Sequence, residues 1–169
     1  MSSDLSLNIG ALLEHLEMEL REEIDRRQMQ NPTMIGIHSG GAWIAELMRA
    51  RLGIKEPLGL LDISFYRDDF SQIGMNPEVK PSFLPFRVEG RNILLIDDVI
   101  YTGRTTRAAL NEIFDYGRPN QVVLGVLIER NGRQIPIRPD CVGGRFDLTS
   151  KQRIKLCGPE PLSLTLQSE

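Results

Sequence analysis

The sequence predicts an α/β protein with a central parallel sheet flanked by helices. Short apolar runs bounded by turn formers recur along the chain, and segments with helical spacing separate them. One run, Asn92 to Ile96, ends in two aspartates and reads as a parallel strand buried on both faces. Strands alternating with helices imply right-handed crossovers between parallel neighbours.

The elements follow in order. Ile9, Leu12, Leu13, Leu16, Leu20 and Ile24 recur at helical spacing, with Asn8 or Ser6 as the N-cap. Met34 to Ile37 is a buried strand. Ser39-Gly40-Gly41 follows it, and Trp43, Ile44, Leu47 and Met48 mark a helix ending near Gly53. Leu58 to Tyr66 reads as the next strand. The stretch from Arg67 to Arg87 has no periodicity and holds Gly74, Pro77, Pro81 and Pro85, so it reads as a long functional or mobile loop. After the Asn92–Ile96 strand, Gly103 to Tyr116 fits a helix with Ala108, Ala109, Ile113 and Phe114 facing inward. Gly117 and Pro119 stop it. Val122 to Ile128 is another buried strand. Beyond residue 130 the pattern breaks into short pieces, with strand-like stretches at Gln134–Ile137 and Leu162–Leu166.

Bulk properties narrow the class. At 169 residues, 41% hydrophobic and 25% charged, the chain fits one globular domain over residues 1–169 with a substantial core. No apolar run spans a bilayer, and the N-terminus lacks the basic and apolar regions of a signal peptide, so a cytoplasmic protein without membrane association is expected. In that compartment Cys141 and Cys157 are expected as free thiols. His15 and His38 sit in no ligand motif, which argues against structural zinc. A net charge of −3 argues against a dedicated nucleic-acid binder.

The chemistry concentrates at the end of the central strand. Ligands of open parallel sheets bind beyond the carboxyl ends of the strands. Ile93 to Ile96 delivers Asp97 and Asp98 to that edge, and Thr102, Gly103, Arg104, Thr105 and Thr106 follow immediately before a helix. Amides at a helix N-terminus attract phosphate, Gly103 permits close approach, and the threonines supply hydroxyl donors. The carboxylates suit the vicinal hydroxyls of a sugar, or a metal beside a pyrophosphate. Ligands for a diol and for a phosphate one turn apart describe a ribose 5-phosphate. Taken alone, an aspartate pair before a Thr-Gly turn is better read as a helix cap. The whole strand–DDVxxTGxTT–helix string is far more specific. The Walker loop GxxxxGK[ST] is absent.

Residues 93–106, ILLIDDVIYTGRTT, resemble the 5-phosphoribosyl-1-pyrophosphate (PRPP) motif of type I phosphoribosyltransferases. The resemblance implies that fold, with a flexible loop and a small C-terminal hood from about residue 130 to residue 169. It assigns Asp97 and Asp98 to the ribose hydroxyls, and to Mg2+ through water. It assigns Thr102, Gly103, Arg104, Thr105 and Thr106 to the 5-phosphate. Asp62 to Asp69, DISFYRDD, is similar to a segment of the bifunctional pyrimidine operon regulator/uracil phosphoribosyltransferase group. The Tyr116-Gly117-Arg118-Pro119 turn and Ile135 to Asp140 are also similar to segments of that group. By that resemblance Ser39, Gly40 and Gly41 form the pyrophosphate loop, although a tight-turned helix cap reads equally from the residues. Tyr66, Arg67, Asp68 and Asp69 begin a loop that closes over the reaction centre, with Arg67 as a cationic helper; an ordinary surface loop with an ion pair is the plainer reading. Ile137 and Arg138 belong to the hood over the base, where Arg138 either braces the hood or touches ligand. The implied reaction is uracil plus PRPP giving UMP and pyrophosphate, in a homodimer or higher homo-oligomer.

The group also binds a pyrimidine-operon mRNA leader, and here the sequence departs from it. The first helix carries Glu14, Glu17, Glu19, Glu22, Glu23 and Asp25, and an acidic surface repels RNA. Arg130-Asn131-Gly132-Arg133 lacks the histidine of the Gly-His-Arg found in relatives, and Gly40 stands where many have a basic residue. Lys151, Arg153 and Lys155 form a small basic cluster, read as a solvated face. Three readings compete: a uracil phosphoribosyltransferase, a nucleotide-sensing regulator with decayed catalysis, and a transferase for a different base.

Overall fold

The computed structural model describes residues 7–63 and 82–169. Helix α1, Ile9–Arg26, starts at Asn8, whose side-chain oxygen accepts a hydrogen bond from the Ala11 amide at 3.1 Å. Strand β1, Thr33–Ile37, is buried throughout and leads into helix α2, Gly40–Leu52. Gly53 closes α2 in the left-handed conformation at φ 65°. Strands β2 (Gly59–Leu61) and β3 (Asn92–Ile100), helix α3 (Arg104–Tyr116) and strand β4 (Gln121–Arg130) follow. Strands β5 (Cys141–Phe146), β6 (Gln152–Cys157) and β7 (Ser163–Ser168) complete the chain.

The first five strands form one parallel sheet in the order β2-β1-β3-β4-β5, and β6 and β7 form an antiparallel ribbon. Strand β3 is therefore the middle strand. Side chains alternate across a sheet, so a strand covered on both faces must be apolar at every position. Leu94 and Ile96 join Leu16, Leu20, Ile44 and Met48 beneath α1 and α2, while Ile93 and Leu95 join Ala109 and Ile113 beneath α3. All four β3 residues are fully buried, and each contributes roughly 1.5–3 kcal/mol by its removal from water.

Both edges of the sheet are occupied. On β5, the Val142 amide donates to Glu19 at 2.8 Å, and the Val142 carbonyl lies 2.9 Å from Nδ1 of His15, one turn earlier on α1. On β2, Leu60 exchanges two 2.7 Å backbone hydrogen bonds with Phe83.

The structure corrects several expectations. Phe114 points outward and is 56% exposed; the inward face of α3 is built from Thr106, Ala108, Ala109 and Ile113 instead. Gln134–Ile137 is not a strand, and Ile135 and Ile137 pack against Gly103. The strand after Leu58 covers only Gly59–Leu61 among the described residues, and Ser64 to Tyr66 lie outside them. Strand β3 runs four residues past Ile96, so Asp97 and Asp98 lie within it.

Cys141 and Cys157 are free thiols. Burial pushes the Cys141 thiol up to about 12, with Glu23 and Glu19 adding to the shift. Its reactive thiolate is therefore scarce at neutral pH. Alkylation of the native protein at pH 8 is expected to label Cys157 and spare Cys141, with both labelled after unfolding, as peptide mass mapping will read.

Candidate active site

The site is made where β1 and β3 separate. Their pairing ends at Gly36 with Ile96, while β3 continues to Ile100 against β4 alone. The first turn of α2 fills the opening. A side chain at Gly36 would meet the Ala42 Cα at 2.7 Å and the Gly41 carbonyl at 2.9 Å, so the helix lies directly on the strand. A Cβ at Gly41 would approach the Ile96 carbonyl at 2.6 Å and the Asp97 Cα at 2.9 Å. One at Gly40 would run into the carboxylate of Asp98. Gly40 and Gly41 thus stand beside Asp98 and Asp97, and Ser39 lines the same cleft. The His38–Ser39 peptide leading into this turn is cis.

Asp97 is buried and Asp98 is partly exposed. One oxygen of Asp97 accepts the Asp98 amide at 2.8 Å, and one oxygen of Asp98 accepts the Val99 amide at 2.8 Å. The second Asp98 oxygen faces Gly40. Among the described residues no group of three or more His, Cys, Asp or Glu side chains is placed to enclose a metal. A cation at this carboxylate pair would need oxygen atoms of a ligand or water to complete its shell.

After Ile100 the chain turns through Tyr101, Thr102 and Gly103 into α3. Gly103 has φ 97°, a conformation that favours glycine, and a Cβ there would meet Ile135 Cγ1 at 2.9 Å. Thr102 is buried and its hydroxyl accepts the Arg104 amide at 3.2 Å. Thr105 lines the cleft, and the Arg104 side chain reaches Gln134. Thr106 is 1% exposed, and its hydroxyl has no hydrogen-bond partner among the described residues. Ser39 at the start of α2 makes no side-chain capping bond, and at the start of α3 the Thr102 hydroxyl takes the Arg104 amide. Both helices that open here present amides able to hold an anion.

Ser39, Gly40, Asp98 and Thr105 line one wall of a cleft of about 630 Å³. The other wall comes from residues 150–156 of the ribbon, and Trp43, Tyr101 and Arg130 also contribute. Lys151, Arg153 and Lys155 are exposed, as expected, but they also border this cleft. Their strand carried a readable signal, since Arg153 and Lys155 alternate with buried Ile154 and Leu156. Arg130 and Trp43 were missed because nothing local marks an arginine at a strand end or a tryptophan in a first helical turn as lining a site. Ile137 contacts Gly103, and Arg138 is exposed, with no hydrogen bond or ion pair among the described residues. Tyr66, Arg67, Asp68 and Asp69 lie outside the described residues. A second cavity of about 560 Å³, bordered by Ile24, Pro32 and Ile54, sits at the amino ends of the strands, the wrong end for a parallel-sheet ligand site.

The family model described as a phosphoribosyl transferase domain matches residues 6–155. The chain belongs to the phosphoribosyltransferase family. Within it the chain falls in the PyrR group. It is 52% identical to the Bifunctional protein PyrR of Nitrosococcus oceani over 165 residues, 96% of this chain and 93% of that protein. It is 51% identical to the Bifunctional protein PyrR of Pseudomonas aeruginosa over 157 residues, 93% and 92% of the two chains. Solved phosphoribosyltransferases share the fold. A hypoxanthine-guanine-xanthine phosphoribosyltransferase superposes with a TM-score of 0.61 at 17% identity, covering 83% of this chain and 76% of that one. A purine phosphoribosyltransferase from Pyrococcus horikoshii Ot3 gives 0.59 at 21% identity, covering 80% and 83%.

Leaving a buried hydroxyl without a partner costs stability that a ligand recovers. With no ligand present, Thr106→Val is expected to leave the unfolding free energy unchanged or raise it by about 1 kcal/mol. Urea denaturation monitored by circular dichroism will read it.

Proposed function

We propose that the chain transfers the phosphoribosyl group of PRPP to uracil, giving UMP and pyrophosphate. One observation carries the reading: a carboxylate pair stands between the N-termini of two helices, toward the carboxyl end of the middle strand. That order of donors matches a sugar with an anion at each end. Asp97 and Asp98 hold the ribose hydroxyls. The amides from Gly103 to Thr106, with the Thr102, Thr105 and Thr106 hydroxyls, cup the 5-phosphate, and the unpartnered Thr106 hydroxyl gains an acceptor there. The Ser39, Gly40 and Gly41 turn faces the pyrophosphate.

The C1–O bond to pyrophosphate breaks as uracil N1 bonds to C1 and gives up its proton. Positive charge develops on the ring while negative charge develops on the leaving group, and donors fixed beforehand stabilise both without reorganising. No covalent nucleophile is required. Asp97 and Asp98 offer hard oxygen donors and would hold Mg2+, directly or through water. When bound, Mg2+ supplies charge neutralisation for the departing pyrophosphate. Tyr66, Arg67, Asp68 and Asp69 are assigned to the transfer reaction by the family resemblance, with Arg67 contributing a positive charge. The hood that reads the flat base through backbone hydrogen bonds is narrower than residues 130–169, because β5 belongs to the main sheet; it comprises the connection holding Ile137 and Arg138 and the β6–β7 ribbon. The enzyme works in the cytoplasm as a homodimer or higher homo-oligomer.

A second activity, nucleotide-dependent binding of a pyrimidine-operon mRNA leader, is opposed less by α1 than its six acids suggest. Three of its six acids have partners among the described residues: Glu17 lies 3.7 Å from Arg21 and 4.0 Å from Arg51, and Glu19 accepts the Val142 amide. Glu23 accepts from Arg26 and Arg27, and the Arg26 guanidinium holds its carboxyl below the usual range. The helix is thus less repulsive to phosphate than its composition suggests, and leader binding that weakens with salt and responds to UMP is its signature.

Uracil-dependent pyrophosphate release from PRPP tests the first reading. Asp98→Asn is expected to lose at least about a hundredfold in kcat/KM, in the range of a missing transition-state contact. Thr106→Val is expected to raise KM for PRPP about tenfold, as befits one lost bond to a charged group. Parental rates in Asp98→Asn would end the reading.

A further inference from the structure

We propose that Arg130 is a positioning residue for phosphoribosyl transfer, fixing Tyr101 and the turn behind it against the ribbon wall of the cleft. The proposal rests on the cleft being the transfer site. Arg130 is the last residue of β4 and is 8% exposed. Its guanidinium donates to the carbonyls of Gln152 at 2.8 Å, Thr149 at 3.2 Å and Asn131 at 3.3 Å. Its carbon lies 4.0 Å from the centroid of the Tyr101 ring. These carbonyls and the ring account for its contacts among the described residues, and no carboxylate is among them. A buried cation so placed is retained by geometry rather than by an ion pair.

The geometry joins two walls. Tyr101 belongs to the turn between β3 and α3 that carries the phosphate-binding threonines, and Thr149 and Gln152 bracket the turn that enters β6. The Tyr101 ring is held from a second side as well. Gly132 has φ 114°, and a Cβ there would come within 2.4 Å of Tyr101 Cε2, so the ring fills the room of a side chain at position 132. Two further ties run parallel: the Gln134 amide donates to the Thr102 carbonyl at 3.0 Å, and Asn131 bonds both the carbonyl and the amide of Leu148. Only a planar fork can stack on a ring and reach carbonyls on two separate turns at once; a lysine ammonium keeps the charge and loses the span.

The separation of the walls sets where the base held by the ribbon sits relative to the sugar held by the β3 edge. A displacement of about 1 Å in such an arrangement costs on the order of a hundredfold in rate. PRPP binding rests mainly on the loop amides, so the rate at saturation suffers more than the affinity.

The test measures uracil-dependent pyrophosphate release and thermal unfolding for the parent, Arg130→Lys, Tyr101→Leu, Tyr101→Phe and the double variant Tyr101→Leu/Arg130→Lys. Arg130→Lys is expected to lower kcat by about thirtyfold or more while KM for PRPP changes by less than about threefold. Tyr101→Leu should match it. Tyr101→Phe, which keeps a ring under the guanidinium, should exceed Tyr101→Leu by about tenfold. The double variant should be no slower than the worse single by more than about threefold, because the pair acts as one unit. A parental kcat in Arg130→Lys overturns the proposal, and so does a double variant whose loss is the product of the two single losses. If Arg130→Lys has no cooperative unfolding transition, equal rates for Tyr101→Leu and Tyr101→Phe overturn it. A parent inert toward uracil, hypoxanthine, guanine and orotate defeats the transfer reading and Arg130's role together. An active parent beside an equally active Arg130→Lys defeats Arg130's role alone.

Discussion

Beyond the pair formed by Gly36 and Ile96, β1 and β3 stop hydrogen bonding, and the first turn of α2 occupies the opening. That contact is backbone against backbone: Gly41 against the Ile96 carbonyl and Asp97, and Gly40 against the Asp98 carboxylate. It brings the anion-binding end of a helix beside a pair of acids without a long side chain on either segment. Any larger residue at Gly36 or Gly41 would lift α2 off the sheet and widen the gap between the two turns that open these helices. The rest of the site is arranged around that fixed distance, since the Asp97–Thr106 segment is itself anchored by a middle strand buried on both faces.

The opposite wall is held differently. The ribbon of β6 and β7 is not part of the main sheet, and a two-stranded ribbon in isolation is at best marginally stable. It gains order by burying Ile154 and Leu156 in the core beneath α1 and α2, and from polar ties to Arg130 and Asn131. Those ties converge on the end of β4, one strand over from the acids. The cleft is thus bounded by a rigid wall and a tethered one. Its cationic border at Lys151, Arg153 and Lys155 belongs to the tethered wall.

The most legible part of the sequence was the part in which local and global demands agree. Ile93 to Ile96 is apolar at each position because both sheet faces are covered, and the string that follows must supply an acidic pair, a turn and a helix start in ten residues. Elements whose form depends on distant partners were harder to read. Strand β5 contains Gly143 and Gly144, which weaken any strand signal, yet Gly143 is required by the close approach of the Leu12 and Leu127 carbonyls from α1 and β4. Phe114 fits the apolar face of α3 by spacing, and only the placement of that helix on the sheet decides that its edge is left outside. Gln134–Ile137 alternates as a strand does, but Ile137 bonds back to Ile135 and the segment is spent covering Gly103. Gly40 looked like a missing charge in sequence. In space it is the clearance that lets the Asp98 carboxylate sit where it does.

The terminal strands of the sheet have a bearing on solubility. An unpaired strand edge is a template on which another molecule can lay down its own backbone. Here His15 and Glu19 take the outward carbonyl and amide of Val142, and Phe83 takes both outward groups of Leu60. Extension of the main sheet into a neighbouring copy is therefore obstructed at these positions on each flank.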